Sequence, residues 1–160
     1  MFGFYILNNI SIGLRTFASG LVGGIGSAAA LIYNGLFFGV FAAHLVNVGL
    51  ADPLWRFVCG HASFELTAIV IAGGAGLRLG LGLVAPGRRR RIDALVEGGR
   101  RGAMLALGVA GMLLIAAFIE AFWSSIGWLP DVVRFPVAGV LWTLVLVWLW
   151  RGGRGLVDAP

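Results

Sequence analysis

From Ile12 to Leu50 the chain is almost unbroken apolar sequence, and only the glycine-rich step at Gly23–Ser27 reads as a turn. A stretch of that kind has no polar face to give to water, so it buries in a large core or in lipid. Further apolar runs follow at Phe64–Val84, Ala103–Phe122 and Val133–Trp150. Several of these runs approach or exceed the ~20 residues that cross a bilayer core. With 59% hydrophobic and 12% charged residues, and a mean hydropathy of +0.95, the chain departs from a soluble domain, which is about 45–50% apolar and about 25% charged. The expected fold is all-α, a polytopic transmembrane bundle of about five spans near 5–22, 27–45, 64–84, 103–122 and 133–150. A single long kinked helix in place of the first two spans is the alternative.

Arginine placement predicts the orientation. All 12 basic residues are arginine. Arg88, Arg89, Arg90, Arg91, Arg100 and Arg101 crowd the 86–102 loop, and Arg151 and Arg154 lie in the tail. Arg56 and Arg134 stand on the other side. Basic loops stay cytoplasmic, so the 86–102 loop and the C-terminus are expected there. Trp55, Trp123 and Trp128 then mark the outer interface, and Trp148 and Trp150 the inner one. Within the loop, Ile92–Glu97 has the makings of a short interfacial helix with Arg89–Asp93 and Glu97–Arg101 pairs at i,i+4. The net charge of +5 is concentrated in that loop without an aromatic-lined groove, so nucleic acid is not an expected partner. Five spans with a cytoplasmic C-terminus place Met1 outside. Because residues 1–10 carry no charge and no signal-peptide features, the expectation is either a further span upstream or an interfacial N-terminal segment.

Charges are expensive inside a bilayer, about 2.5–3.5 kcal/mol on insertion scales, which singles out Arg15, Asn34, Glu65, Arg78 and Glu120. Asn8, Asn9, His44 and His61 lie close to the outer interface. At ~1.5 Å rise per residue, Arg15 lies well down its span and can snorkel upward. Glu65 and Glu120 sit within about one turn of the outer surface by the same rise. Glu65 is therefore expected to meet Arg15 or an asparagine of a neighbouring helix, and Arg78 to reach lipid phosphate at the cytoplasmic face. His61 and Glu65 share a helix face at i,i+4, but a zinc site needs three or four ligands, and neither HExxH nor GxSxG is present. No metal or cofactor is expected, and the single cysteine, Cys59, reads as a small buried hydrophobe. Glycine pairs at i,i+4, Gly20–Gly24, Gly35–Gly39 and Gly76–Gly80, have the spacing that lets membrane helices approach closely. They are expected at packing faces, within the bundle or between copies.

Taken in order, "FYILNNISIGLRTFASGLVGGIGSAAALIYNGLFFG", "GHASFELTAIVIAGGAGLRLG" and "IAAFIEAFWSS" resemble the stage II sporulation protein M family. The shared features are the asparagine pair, an Asn-Gly near the start of a span, His-x-x-x-Glu-Leu-x-Ala and Ile-Glu-Ala-Phe. They fall here on Asn8, Asn9, Asn34, Gly35, His61, Glu65, Leu66, Ala68 and Glu120. The resemblance implies an integral membrane protein without catalytic activity of its own. It also implies partners, since the family's namesake works with two membrane-associated cell-wall-degrading proteins, and longer relatives carry a cytoplasmic portion and a span before the asparagine pair. The expectation is thus a non-enzymatic assembly or coupling component of a bacterial or archaeal cell membrane, partnered by envelope or membrane proteins and by further copies of itself. The alternative is a solute or lipid transporter using the Asn/Glu/Arg/His cluster.

Overall fold

The computed structural model describes residues 1–152, and Arg154 lies outside them. Five helices follow one another: α1 (Phe2–Ala18), α2 (Ile25–Asn47), α3 (Ala51–Val84), α4 (Arg91–Ile119) and α5 (Asp131–Arg151). A 3₁₀ turn, Ser19–Leu21, joins α1 to α2, and a π-helical segment, Glu120–Ser124, extends α4. There is no strand among the described residues. Four of the helices, α2 to α5, are long and apolar enough to cross a membrane. The 17 residues of α1 make a rod of about 25 Å at 1.5 Å per residue.

The observed helices outrun the apolar runs. Helix α3 begins at Ala51 rather than near Phe64, and α4 begins at Arg91 rather than near Ala103. Polarity marks where the hydrocarbon ends, whereas a helix stops only where its backbone is broken, here by Gly49 at φ +82° and Gly87 at φ +65°. The expected short loop helix is accordingly the first turns of α4. Its ion pairs are also rearranged. Arg90 holds both oxygens of Asp93 at 2.7 and 2.9 Å, so Arg89 pairs with Glu97 instead. The Glu97–Arg101 pair is present at 2.5 Å.

Helices α1 and α2 are separate. Gly23 and Gly24 take φ +60° and +84°, a conformation that costs a residue with a Cβ, and the chain reverses there. The Ser27 hydroxyl donates to the Thr16 carbonyl at 2.6 Å, satisfying one of the carbonyls left open at the end of α1. This turn docks on α3. A Cβ at Gly76 would meet Ser27 Oγ and the Phe17 carbonyl, and one at Gly80 would meet the backbone of Gly23 and Gly24. Gly76 and Gly80 therefore sit at a helix contact, with Gly20 opposite Gly76. Gly35 and Gly39 do not: among the described residues nothing lies within 4 Å of either Cβ position. They share an outward face of α2 with exposed Ile32 and Leu36, which stand three or four residues from them.

Helix α3 is the centre, packed by each of the other four. Small residues make that possible, with Ala62, Ser63, Ala68, Ala72, Gly73, Ala75, Gly76 and Gly80 all buried along it, in keeping with close packing of membrane helices. The apolar core joins Ala68 and Ala72 to Val109, Met112 and Leu113 of α4 and Val145 of α5. Large apolar side chains such as Phe118, Leu144 and Trp148 point outward, as suits a protein surrounded by lipid.

Candidate functional site

The buried stripe of α1 is Asn9, Gly13 and Thr16, a spacing of four and three that keeps one face on α3 and α4. Asn9 is only 2% exposed, so its amide must be satisfied inside the protein. It donates to Glu120 Oε2 at 3.2 Å and accepts from the Asn8 amide at 3.3 Å. A second string starts on α3. Glu65 Oε2 stands 3.6 Å from His61 Nε2, and His61 Nδ1 is 3.1 Å from the Ser124 hydroxyl. Phe57 meets the His61 ring edge to face, with centroids 5.3 Å apart. Glu120 and Ser124 both come from the π-helical segment, an irregularity that recurs at functional sites.

The two strings border one cavity of about 330 Å³, lined by Asn8, Asn9, His61, Glu65 and Glu120 and walled by Phe37, Phe38 and Phe41 of α2. Phe37, Phe41 and Leu66 on its rim are exposed, so the cavity opens sideways between helices. On the opposite side, Ala68 and Ala72 follow Glu65 along α3 and lie in the closed apolar core.

Two expected members lie elsewhere. Arg15 does not meet Glu65 or Glu120: it is exposed, and its side chain forms no ion pair or hydrogen bond among the described residues. With Asn34 it lines a separate recess of about 270 Å³ between α1 and α2. The reason is angular. Arg15 is two residues past buried Gly13, roughly 200° around the helix, so no amount of snorkelling returns it to the Asn9 face. Asn34 turns its amide back to the Ala30 carbonyl at 2.8 Å. The outcome for a charge cycle follows. In detergent, the losses in thermal stability from Glu65→Gln and Arg15→Gln are expected to add within about 0.5 kcal/mol. A larger coupling would mean the two charges meet after all.

Ser124 is the member that reading the sequence missed, although it stands at i+4 from Glu120, the same spacing that links His61 to Glu65. Ser124, His61 and Glu65 occur in the order of a hydrolytic relay. Ser124, however, is buried behind His61 and outside the cavity lining, where a substrate carbonyl has no approach. No group of three or more His, Cys, Asp or Glu among the described residues is placed to hold a metal ion.

The sequence model of stage II sporulation protein M matches residues 1–125. The chain belongs to that family. No curated protein and no solved structure matches it. The stage II sporulation protein M match contains both strings of the polar cleft and ends one residue after Ser124, so α5 lies beyond the family's segment.

Proposed function

We infer that this family member is a non-enzymatic assembly component of the cell membrane, seated with its arginine-rich end in the cytoplasm, and that the cleft receives a basic side chain from a partner's transmembrane helix. The observation that carries this reading is the pairing of Glu65 and Glu120 in one lateral cavity, where among the described residues their carboxyl groups meet only His61 and Asn9. Carboxylates at membrane depth are stabilised by a charged or hydrogen-bonding partner. The aromatic wall of Phe37, Phe38 and Phe41 adds faces that attract an ammonium or guanidinium group. A passing helix can bring that group through the open side. A solute path is the other use of such a cluster, but the polar lining stops at the Ala68–Ala72 layer of the core, and this favours docking over passage.

The test is photo-crosslinking in the native membrane, with a benzophenone amino acid at Phe37 on the cleft rim and at Val140 on an exposed face of α5. The rim position is expected to give a discrete product with a different membrane protein. That product should be lost when Glu65→Gln and Glu120→Gln are combined, while Val140 gives none. A rim product that survives the double substitution unchanged, or a product with a second copy alone, would overturn the reading.

A further inference from the structure

At the other end of the molecule, three arginines from different parts of the chain converge. Arg78 of α3, Arg89 of the α3–α4 loop and Arg101 of α4 line one pocket of about 360 Å³ with Glu97, floored by Gly82, Ala94 and Gly98. The pocket is not neutralised. Glu97 is shared between Arg89 and Arg101, which leaves one positive charge from that trio. Arg78 adds a second, with no ion pair among the described residues. Glu97 also does structural work, since one carboxylate gripping two guanidiniums holds both at the pocket mouth.

The other loop arginines are not part of this arrangement. Arg90 is tied to Asp93, whose hydrogen bonds hold its guanidinium above the ordinary range. Arg88, Arg91 and Arg100 are exposed and outside the lining. The rim is mixed in a telling way. Leu81 lines the pocket, and both Leu81 and Val84 are exposed on the lipid-facing side of α3. A ligand that is anionic at one end and apolar at the other fits both features.

We propose that this pocket binds a phosphate-bearing anion, the headgroup phosphate of an acidic phospholipid, with the acyl chain running along Leu81. Guanidinium groups hold phosphate by paired, charge-assisted hydrogen bonds, and basic pockets between membrane helices are suited to lipid headgroups. The site lies at the end of the bundle opposite the carboxylate cleft, so it stands or falls independently of the docking reading.

The experiment titrates the purified full chain in neutral detergent with short-chain phosphatidylglycerol, short-chain phosphatidylcholine or inorganic phosphate, and follows the unfolding temperature. A ligand that binds only the folded state raises that temperature with concentration. Phosphatidylglycerol is expected to give a saturating rise, and phosphatidylcholine and inorganic phosphate at equal concentration a much smaller one. Arg78→Gln should raise the half-saturating concentration about tenfold, the scale of one lost charge-assisted hydrogen bond, while Arg88→Gln and Arg100→Gln leave it unchanged. Arg78 makes no hydrogen bond or ion pair that its loss would break, so the unfolding temperature of Arg78→Gln without lipid should match the parent and reports folding directly. Equal effects from any of the three substitutions would reduce the site to diffuse charge and overturn the proposal. Saturation by inorganic phosphate at the same concentration would overturn the lipid assignment in favour of free phosphate.

Discussion

Gly80→Ala is expected to destabilise the bundle by about 2–3 kcal/mol, in the upper part of the range for overpacked sites, whereas Gly35→Ala and Gly39→Ala leave stability unchanged or raise it. The two outcomes follow from what a methyl group would meet. At Gly80 it meets the backbone nitrogen and Cα of Gly24 and the carbonyl carbon of Gly23, not the yielding end of a side chain. Gly24 cannot retreat cheaply, because it sits at φ +84° in the turn and its amide is held by the Gly20 carbonyl at 2.8 Å. Relief has to come from moving the whole α1–α2 turn off α3, which also opens its contact with Gly76. At Gly35 and Gly39 the methyl group meets nothing of the described chain, and alanine gains up to about 1 kcal/mol of helix propensity over glycine. Thermal unfolding of the purified proteins, followed by tryptophan fluorescence, separates the two cases. An indifferent Gly80→Ala, or a Gly35→Ala that costs more than Gly80→Ala, would move the packing stripe from α3 to α2.

That contrast also shows how far glycine spacing can be read. Both pairs have the same i,i+4 interval, and an interval states only that two residues share a face. Which face meets a neighbour depends on the rest of the helix. On α3 the residues on the same side as Gly76 and Gly80 include small Ala72 and Gly73, both buried with them. On α2 the residues that share a side with Gly35 and Gly39, Ile32 and Leu36, are large and exposed. The apolar runs themselves were legible as membrane helices because lipid removes the alternatives to a helix. Their ends were not, since α3 and α4 continue as helices beyond the apolar layer.

The polar cleft was legible in part for a related reason. Burial cost picked out Glu65 and Glu120 one residue at a time, Asn9 entered with the asparagine pair of the family resemblance, and the i,i+4 rule tied His61 to Glu65. Depth along a helix follows from counting residues, and it placed Arg15 where its long side chain could rise toward Glu65. Azimuth does not follow from depth. The stripe Asn9–Gly13–Thr16 fixes it, and it turns Arg15 toward Asn34 and Tyr33 instead. A charge at the very start of the last apolar run escaped this logic altogether. Arg134 counted only as a mark of the outer surface, yet it is 2% exposed.

Replacing Arg134 by methionine is expected to cost about 3 kcal/mol or more, because it strips hydrogen bonds from several backbone carbonyls at once. Its Nη1 donates to the carbonyls of Arg56 at 2.8 Å and Ser124 at 3.3 Å, and its Nη2 to that of Ile126 at 2.5 Å. Ser124 and Ile126 close the end of the π-helical segment, where unpaired carbonyls gather and the helix dipole is negative. The guanidinium thus serves as both donor and counter-charge there. It also joins three parts of the fold, since Arg56 belongs to α3, Ser124 to the extension of α4 and Arg134 to α5. The neighbouring Arg56–Asp131 pair at 2.7 Å is about half-exposed, and an exposed pair contributes at most about 1 kcal/mol. Arg134 is therefore the stronger polar tie holding the first turn of α5 to the family-matched part of the chain. Arg134→Lys should recover only a fraction of the loss, because one ammonium is a compact charge and does not present a fork to carbonyls on three sides. Arg56→Gln keeps the Arg56 carbonyl and is expected to cost less than either. The readout is the unfolding temperature in detergent, where 3 kcal/mol corresponds to roughly 6–12 °C for a chain of this size. Full stability in Arg134→Met, or the same loss in Arg56→Gln, would mean that α5 is held by its apolar contacts along α3 and not by this arginine.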